Sequence, residues 1–261
     1  MTGLTTPTMT ETVSGIFIDL LDPKVEDIQI HDIAWALSRQ SRYAGHTMCK
    51  IPYTVAQHTV LVSKYVEEAL TPGTHLYEVF EKYIQGKMDK TANLSDETEF
   101  GKWASIQDRQ RDASRMGHVR MYAFHGLMHD FAEAYLVDLP TPVKRLPGIY
   151  DIYKKYELMM DALIYKAFNL GYGPRGIMSL GDIQHPLNWE FGLAVVGWAD
   201  AYALLMEAYH FMPSRGLNWN IPLERPSLSQ IYNFRWPIPN EEAYKEVLAR
   251  FEEVRTPDPV Y

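Results

Sequence analysis

The sequence predicts an all-α protein: a helical bundle with a polar insertion and a partly irregular C-terminal tail. Two observations predict it. Apolar residues recur at helical spacing in one long segment after another. A single short segment, from Gly15 to Pro23, alternates in the manner of a strand. At 261 residues the chain suits one sizeable core, so residues 1–261 are read as a single domain.

Residues 1–14 are rich in Thr, offer little to bury and are expected to be loose. IHDIAWALSRQSRYAG then reads as a helix that opens near Asp27 or Gln29 and ends at Gly45. His31 and Asp32 lie in its first turn, where an acid suits the helix dipole, and the pair is read as structural. Arg39 and Arg42 fall near its C-terminal end. After an irregular connection, VAQHTVLVSKYVEEAL spells a helix from Val55 to Leu70 with His58 near its apolar side. Alone, such a histidine is more often a satisfied core residue than a ligand.

Thr71-Pro72-Gly73 breaks that helix. Residues 71–117 then become polar. HLYEVFEKYIQGKMDK suggests a short helix, and the rest carries Trp103 as a lone anchor, so the segment is read as an insertion or lid of uncertain order. Phe124, Leu127, Met128, Phe131, Ala132 and Ala134 to Leu136 predict one helix over about residues 122–137, stopped by the Leu-Pro-Thr-Pro run after Asp138. On such a helix His129 and Glu133 share a face, with Asp130 beside His129.

An amphipathic helix follows over about residues 149–170, and a very apolar one over 187–209. Asp200 lies in the middle of the latter, and a buried aspartate is normally paired or metal-bound. Asp182 and His185, between these helices, show no convincing pattern. Residues 211–235 are Pro-rich and are expected to wrap the helical body; NEEAYKEVLARFEEV forms a last helix.

Bulk properties narrow the function. The one cysteine, Cys49, excludes an intrachain disulfide framework and a cysteine-based zinc ribbon. A net charge of -8 argues against a broad nucleic-acid-binding face. The N-terminus lacks a basic region followed by an apolar run, so no signal peptide is expected, and no apolar stretch is read as the roughly 18 residues of a spanning helix. Four residues then stand out: His58, His129, Asp130 and Asp200. Two imidazoles and two carboxylates make a mixed N/O donor set suited to Mn, Fe, Co, Ni or Zn, with water completing the shell.

The order His58, His129-Asp130, Asp200 resembles the signature of the HD-domain metal-dependent phosphohydrolases. The phrase HDFAEAYLVDLPTPVK, the segment SRQSRYAGHT before VAQHT, and Ala199-Asp200-Ala201 are most similar to the small bacterial and phage branch of 5'-deoxynucleotidases and dATP triphosphohydrolases. The likeness covers roughly two thirds of the chain. It implies an HD-domain helical bundle. It implies His58, His129, Asp130 and Asp200 as ligands of a divalent transition metal (Co, Mn, Zn, Fe or Ni), with additional Mg as an option. Glu133 matches the acid that positions the attacking water or acts as acid/base, and Asp138 a second carboxylate close to metal and phosphate. Arg42 matches the phosphate-binding arginine and Lys144 the lysine of the Pro-Val-Lys motif. Tyr43 stands where the deoxynucleotidases have a tryptophan used in sugar selection, and Gln57 where relatives often have glutamate. His125 is a weaker candidate for a supporting role.

The implied reaction is attack of water on the 5'-phosphorus of a deoxyribonucleotide. Conversion of dATP or another dNTP to deoxynucleoside plus triphosphate is favoured. The alternatives are a 5'-deoxynucleotidase acting on dNMP and a catalytically silent nucleotide-binding or scaffold protein. Lys144, Arg145, Lys154, Lys155 and Arg115 are available as positive charge for a longer phosphate chain. The expected partner is a small nucleotide, with no membrane and no nucleic acid, in a homo-oligomer of the bacterial or phage-infected host cytoplasm.

Overall fold

In the computed structural model, which describes residues 7–115, 118–168, 189–221, 223 and 234–255, helices dominate and one small two-stranded sheet accompanies them. The chain divides into two compact units. The first comprises Met1–Gln57, His129–His185 and Pro237–Ala249; the second comprises His58–Met128, Pro186–Trp236 and Arg250–Tyr261.

In the first unit, β1 (Met9–Glu11) pairs antiparallel with β2 (Phe17–Asp19). Part of the stretch expected to be loose is therefore held. Thr8 donates to Asp19 at 2.8 Å, and the Ser14 amide and hydroxyl both donate to the buried Asp32 carboxylate, at 3.1 and 2.6 Å. Asp32 thus has the structural role read from its position. Its neighbour His31 meets the Tyr244 hydroxyl at 2.7 Å.

Helix α1 (Ile30–Leu37) buries Ile33, Ala34 and Leu37 but ends well before Gly45. The Arg39 amide turns back to Ala36 at 3.0 Å, and a separate turn at Arg42–Gly45 follows. Tyr43 (φ 59°) and Ala44 (φ 50°) are left-handed there, a conformation costing a non-glycine residue about 1–2 kcal/mol. Only Gly45 (φ 79°) enters it without a Cβ penalty. The short helices α6 (Glu133–Leu136) and α7 (Thr141–Lys144) precede the long α8 (Tyr150–Ala167); α6 packs on both α1 and α8.

The second unit holds α2 (Val55–Ala69) from His58 onward, α3 (His75–Asn93), α4 (Glu97–Arg115), α5 (Val119–Met128) and α9 (Trp189–Phe211). The last helix, α10 (Asn240–Val254), begins in the first unit and ends here. HLYEVFEKYIQGKMDK, read as a short helix, makes up most of α3, and residues 97–115, read as polar and of uncertain order, form a second helix packed on it. Leu76, Phe80 and Ile84 of α3 and Ile106 and Ala113 of α4 join a core with Val62, Val66, Trp198 and Tyr202. Trp103 is not a lone anchor: it meets Tyr83 edge-on at 5.8 Å. The α4 pattern was obscure because one inward position is Gln110, fully buried, whose amide donates to the carbonyls of Ala69 and Tyr77 at 3.1 and 3.0 Å.

Contrary to the sequence reading, α9 is long and apolar enough to cross a membrane by length and composition, the single such helix among the described residues. Its apolar side chains Phe191, Val195, Trp198, Tyr202 and Met206 are spent on the core of the second unit. Of the tail expected to wrap the body, residues 211–235, positions 222 and 224–233 lie outside the described residues. Arg250 is buried and tied to Ser63, Glu67 and Glu253 at 2.9, 2.6 and 2.8 Å.

Gly126 sets how closely α5 approaches α2. A Cβ there would lie 3.0 Å from Val66 Cγ2 and 3.2 Å from Ser63 Cα. Because one of these atoms is backbone, Gly126→Ala is expected to cost about 1–3 kcal/mol in a urea unfolding curve. An unchanged midpoint would show that the α2 backbone yields freely.

Candidate metal centre and phosphate-binding residues

In the second unit, α2 presents His58 and α9 presents Asp200. The His58 ring is fully buried, and its Nε2 lies 3.1 Å from an Asp200 carboxylate oxygen. Asp200 was read as buried among apolar neighbours. Its side chain is instead 47% exposed, because it lies off the stripe of α9 that enters the core. The other ring nitrogen, Nδ1, lies 2.6 Å from Glu207, an acid with no exposed surface that was missed in the sequence. A signal for it exists: Glu207 follows Asp200 by two helical turns, so both acids lie on one side of α9.

In the first unit, His129 and Asp130 do not sit on the long helix the periodicity predicts. The helix breaks into α5 and α6, with His129–Ala132 in turns between them. The amides of Glu133, Ala134 and Tyr135 return to carbonyls three residues back, at 3.0, 3.1 and 3.1 Å, which tightens the backbone relative to an α-helix. His129 Nε2 and Asp130 Oδ2 lie 3.1 Å apart, and Arg42 Nη1 reaches the same oxygen at 3.6 Å.

Within each acid–imidazole pair, the 3.1 Å spacing suits two ligands of one cation. Two ligand atoms about 2.0–2.2 Å from one ion, at tetrahedral or octahedral angles, are about 3.0–3.5 Å apart. His58, His129 and Asp130 make up a donor group able to hold a metal ion. Two imidazole nitrogens with a carboxylate fit a borderline transition-metal cation better than Ca or Mg, which favour all-oxygen shells.

Glu133 lies at the start of α6 and is 4% exposed. Its Oε1 takes the Lys144 ammonium at 3.3 Å, and its buried Oε2 has no hydrogen-bond partner among the described residues. Burial first, then the negative Asp130 and Asp138, hold its carboxyl well above the ordinary range; Lys144 and Arg42 offset part of this. Lys144 also approaches Glu157 at 3.6 Å and lies 4.7 Å from the Tyr153 ring centre. Burial disfavours its ammonium, but Glu133, Glu157 and Asp130 outweigh that and raise it. Asp161, one turn beyond Glu157 on α8, is raised well above its usual range by burial and by Glu157 and Asp130.

Gln40 was also missed. Its amide donates to the Glu133 carbonyl at 2.8 Å and its oxygen accepts the Asp138 amide at 3.0 Å, so one side chain splints both ends of α6. Asp138 follows Val137, which ends α6 in a positive-φ conformation (68°). Tyr43 lies beside Arg42, whose guanidinium carbon is 5.5 Å from its ring centre. Lys154 is engaged with Glu157 at 2.8 Å, and Gln57 accepts the Ile238 amide at 3.4 Å. His125 is buried near Tyr122, with ring centres 6.4 Å apart. The Arg115 side chain, Asp182 and His185 lie outside the described residues.

No family model matches the chain. Over 145 residues, 56% of its length, it is 30% identical to the uncharacterized protein YfdR of Escherichia coli K12, spanning 49% of that protein. Over 61 residues, 23% of its length, it is 43% identical to the uncharacterized protein RCAP_rcc00048 of Rhodobacter capsulatus, spanning 31% of that protein. The chain thus spans about half the length of the first relative and about a third of the second.

Proposed function

We propose that the chain is a metal-dependent phosphohydrolase acting on the 5'-phosphate of deoxyribonucleotides, with dATP or another dNTP split into deoxynucleoside and triphosphate. The observation that carries the reading is the donor group of His58, His129 and Asp130. Asp200 is not one of those three, but its carboxylate lies 3.1 Å from His58, and this reading adds it as a fourth ligand. A bound Co, Mn, Zn, Fe or Ni ion would supply an acidified water and a polarised phosphoryl oxygen.

The chain's own residues do the rest. Arg42 takes phosphoryl oxygens with its fork of donors and counters the charge that builds on them during attack. Glu133, with its free Oε2, orients the attacking water and receives its proton. Lys144 steadies Glu133 and adds positive charge toward the phosphates. Asp138 limits how readily Glu133 ionises, since it pushes that carboxyl up. Tyr43 offers a ring for the deoxyribose to pack against. The scissile bond joins phosphorus to the nucleoside 5'-oxygen, so a triphosphate leaves as inorganic tripolyphosphate and a monophosphate as orthophosphate.

A panel of ribo- and deoxyribonucleotide mono- and triphosphates, incubated with metal-loaded protein, tests this. Deoxynucleoside with tripolyphosphate is the expected product pair. Orthophosphate from monophosphates would move the assignment to a 5'-deoxynucleotidase. Stoichiometric metal with no turnover of any nucleotide would leave a binding or scaffold protein.

A further inference from the structure

The structure shows one imidazole gripped from both sides by a single helix. Asp200 lies at Nε2 of His58 and Glu207 at Nδ1, at 3.1 and 2.6 Å, with Glu207 and His58 both fully buried. We propose that Glu207 is a positioning residue for His58. It accepts the Nδ1 hydrogen, sets the plane of the ring, and thereby commits the Nε2 lone pair to the side that carries Asp200. The inference rests on the metal reading above.

The chemistry leaves little choice of tautomer. A neutral imidazole has one N–H and one lone pair, and the partner of one nitrogen decides the role of the other. With the hydrogen on Nε2 alone, the Nδ1 lone pair would face a carboxylate oxygen at 2.6 Å inside the core. Two acceptors cannot hold that distance without a proton between them, and a buried acceptor left unsatisfied is costly. With the hydrogen on Nδ1, the short contact becomes a charge-assisted hydrogen bond, and Nε2, 3.1 Å from Asp200, either shares a second proton with that acid or, as that proton leaves, gives its lone pair to a cation that both groups ligate. Metal-ligating histidines are oriented by such carboxylates, and loss of the carboxylate typically weakens metal affinity 10–100-fold.

The test uses the full chain with Glu207→Gln and Glu207→Leu. Zn(II) affinity is measured against a competing chelator, and the His58 ring nitrogens are followed by 15N NMR with and without Zn(II). In the wild-type chain the His58 Nδ1 is expected to carry a strongly hydrogen-bonded proton. The Leu variant is expected to lose that signature and to bind Zn(II) about 10–100-fold more weakly. The Gln variant, which keeps an acceptor without the charge, recovers most of the affinity and retains the proton in a weaker hydrogen bond. Wild-type Zn(II) affinity with unchanged His58 nitrogen shifts in a folded Leu variant overturns the proposal. If the Leu variant does not fold, an unmoved Nδ1 proton in the Gln variant overturns it instead. Should the wild-type chain take up no Zn(II), Co(II) or Mn(II), the metal reading fails on its own. The nitrogen shifts of the metal-free protein then still decide whether Glu207 holds the ring.

Discussion

Asp130→Asn is expected to lower deoxynucleotide turnover on the order of 10³-fold, the upper range for removing one preorganised electrostatic contact. Two losses combine in that substitution. The donor group keeps its imidazoles but exchanges an anionic ligand for a neutral one, so metal content falls as well. Arg42, 3.6 Å from the Asp130 carboxylate, also loses the charge that holds its guanidinium in place. Steady-state kcat/KM alongside metal analysis separates the effects. A variant that keeps full metal and full rate would remove Asp130 from the centre and the proposed function with it.

Glu133→Gln is expected to reduce kcat on the order of 10²–10⁴-fold with little change in KM, the range for losing a general acid or base. Its effect on stability should run the other way. Burial and the neighbouring Asp130 and Asp138 raise the Glu133 carboxyl well above its ordinary value of 4.5. A raised folded value means that the folded chain binds this proton more tightly than the unfolded chain does. The resulting stabilisation is fully present below the ordinary value and is lost as pH rises through the raised one. The glutamine variant carries no such loss. Its melting temperature is therefore expected to match wild type in acid and to exceed it by several degrees at pH 8, at about 2–4 °C per kcal/mol. A variant less stable than wild type at pH 8 would mean that Lys144 and Arg42 more than compensate the ionised carboxylate.

The two substitutions act on different requirements. In the proposed reaction Asp130, with His129, must ligate without moving, whereas Glu133 must change protonation state in place. The surroundings match that division. Asp130 faces Arg42, a permanent cation, whereas Glu133 is enclosed and balanced between two acids and a lysine.

Much of the all-α organisation was legible in order. The helices α2, α8, α9 and α10 follow apolar spacing, which reports a buried stripe directly. What misled was continuity. Residues 30–45 and 122–137 carry helical spacing throughout, yet both helices stop short, at Leu37 and Met128. Periodicity records which residues are buried. It does not record where the backbone tightens into three-residue turns or enters the left-handed region at Tyr43 and Ala44. In α4 the opposite happened: a buried Gln110, whose amide NH2 donates to two backbone carbonyls, broke the apolar pattern and hid a helix.

By itself the sequence determined which residue types are costly to bury: His58, His129, Asp130, Glu133 and Asp200 stand in apolar surroundings where only a partner or a cation justifies them. The tertiary structure decided who those partners are. Glu207 at His58, Lys144 and Gln40 at Glu133, and Arg42 at Asp130 come from helices or turns far apart in the chain, apart from Glu133 and Lys144, which share one short stretch. The physical reason is that a one-dimensional pattern carries the cost of desolvation residue by residue, while its compensation is a matter of distance and direction that only packed elements supply.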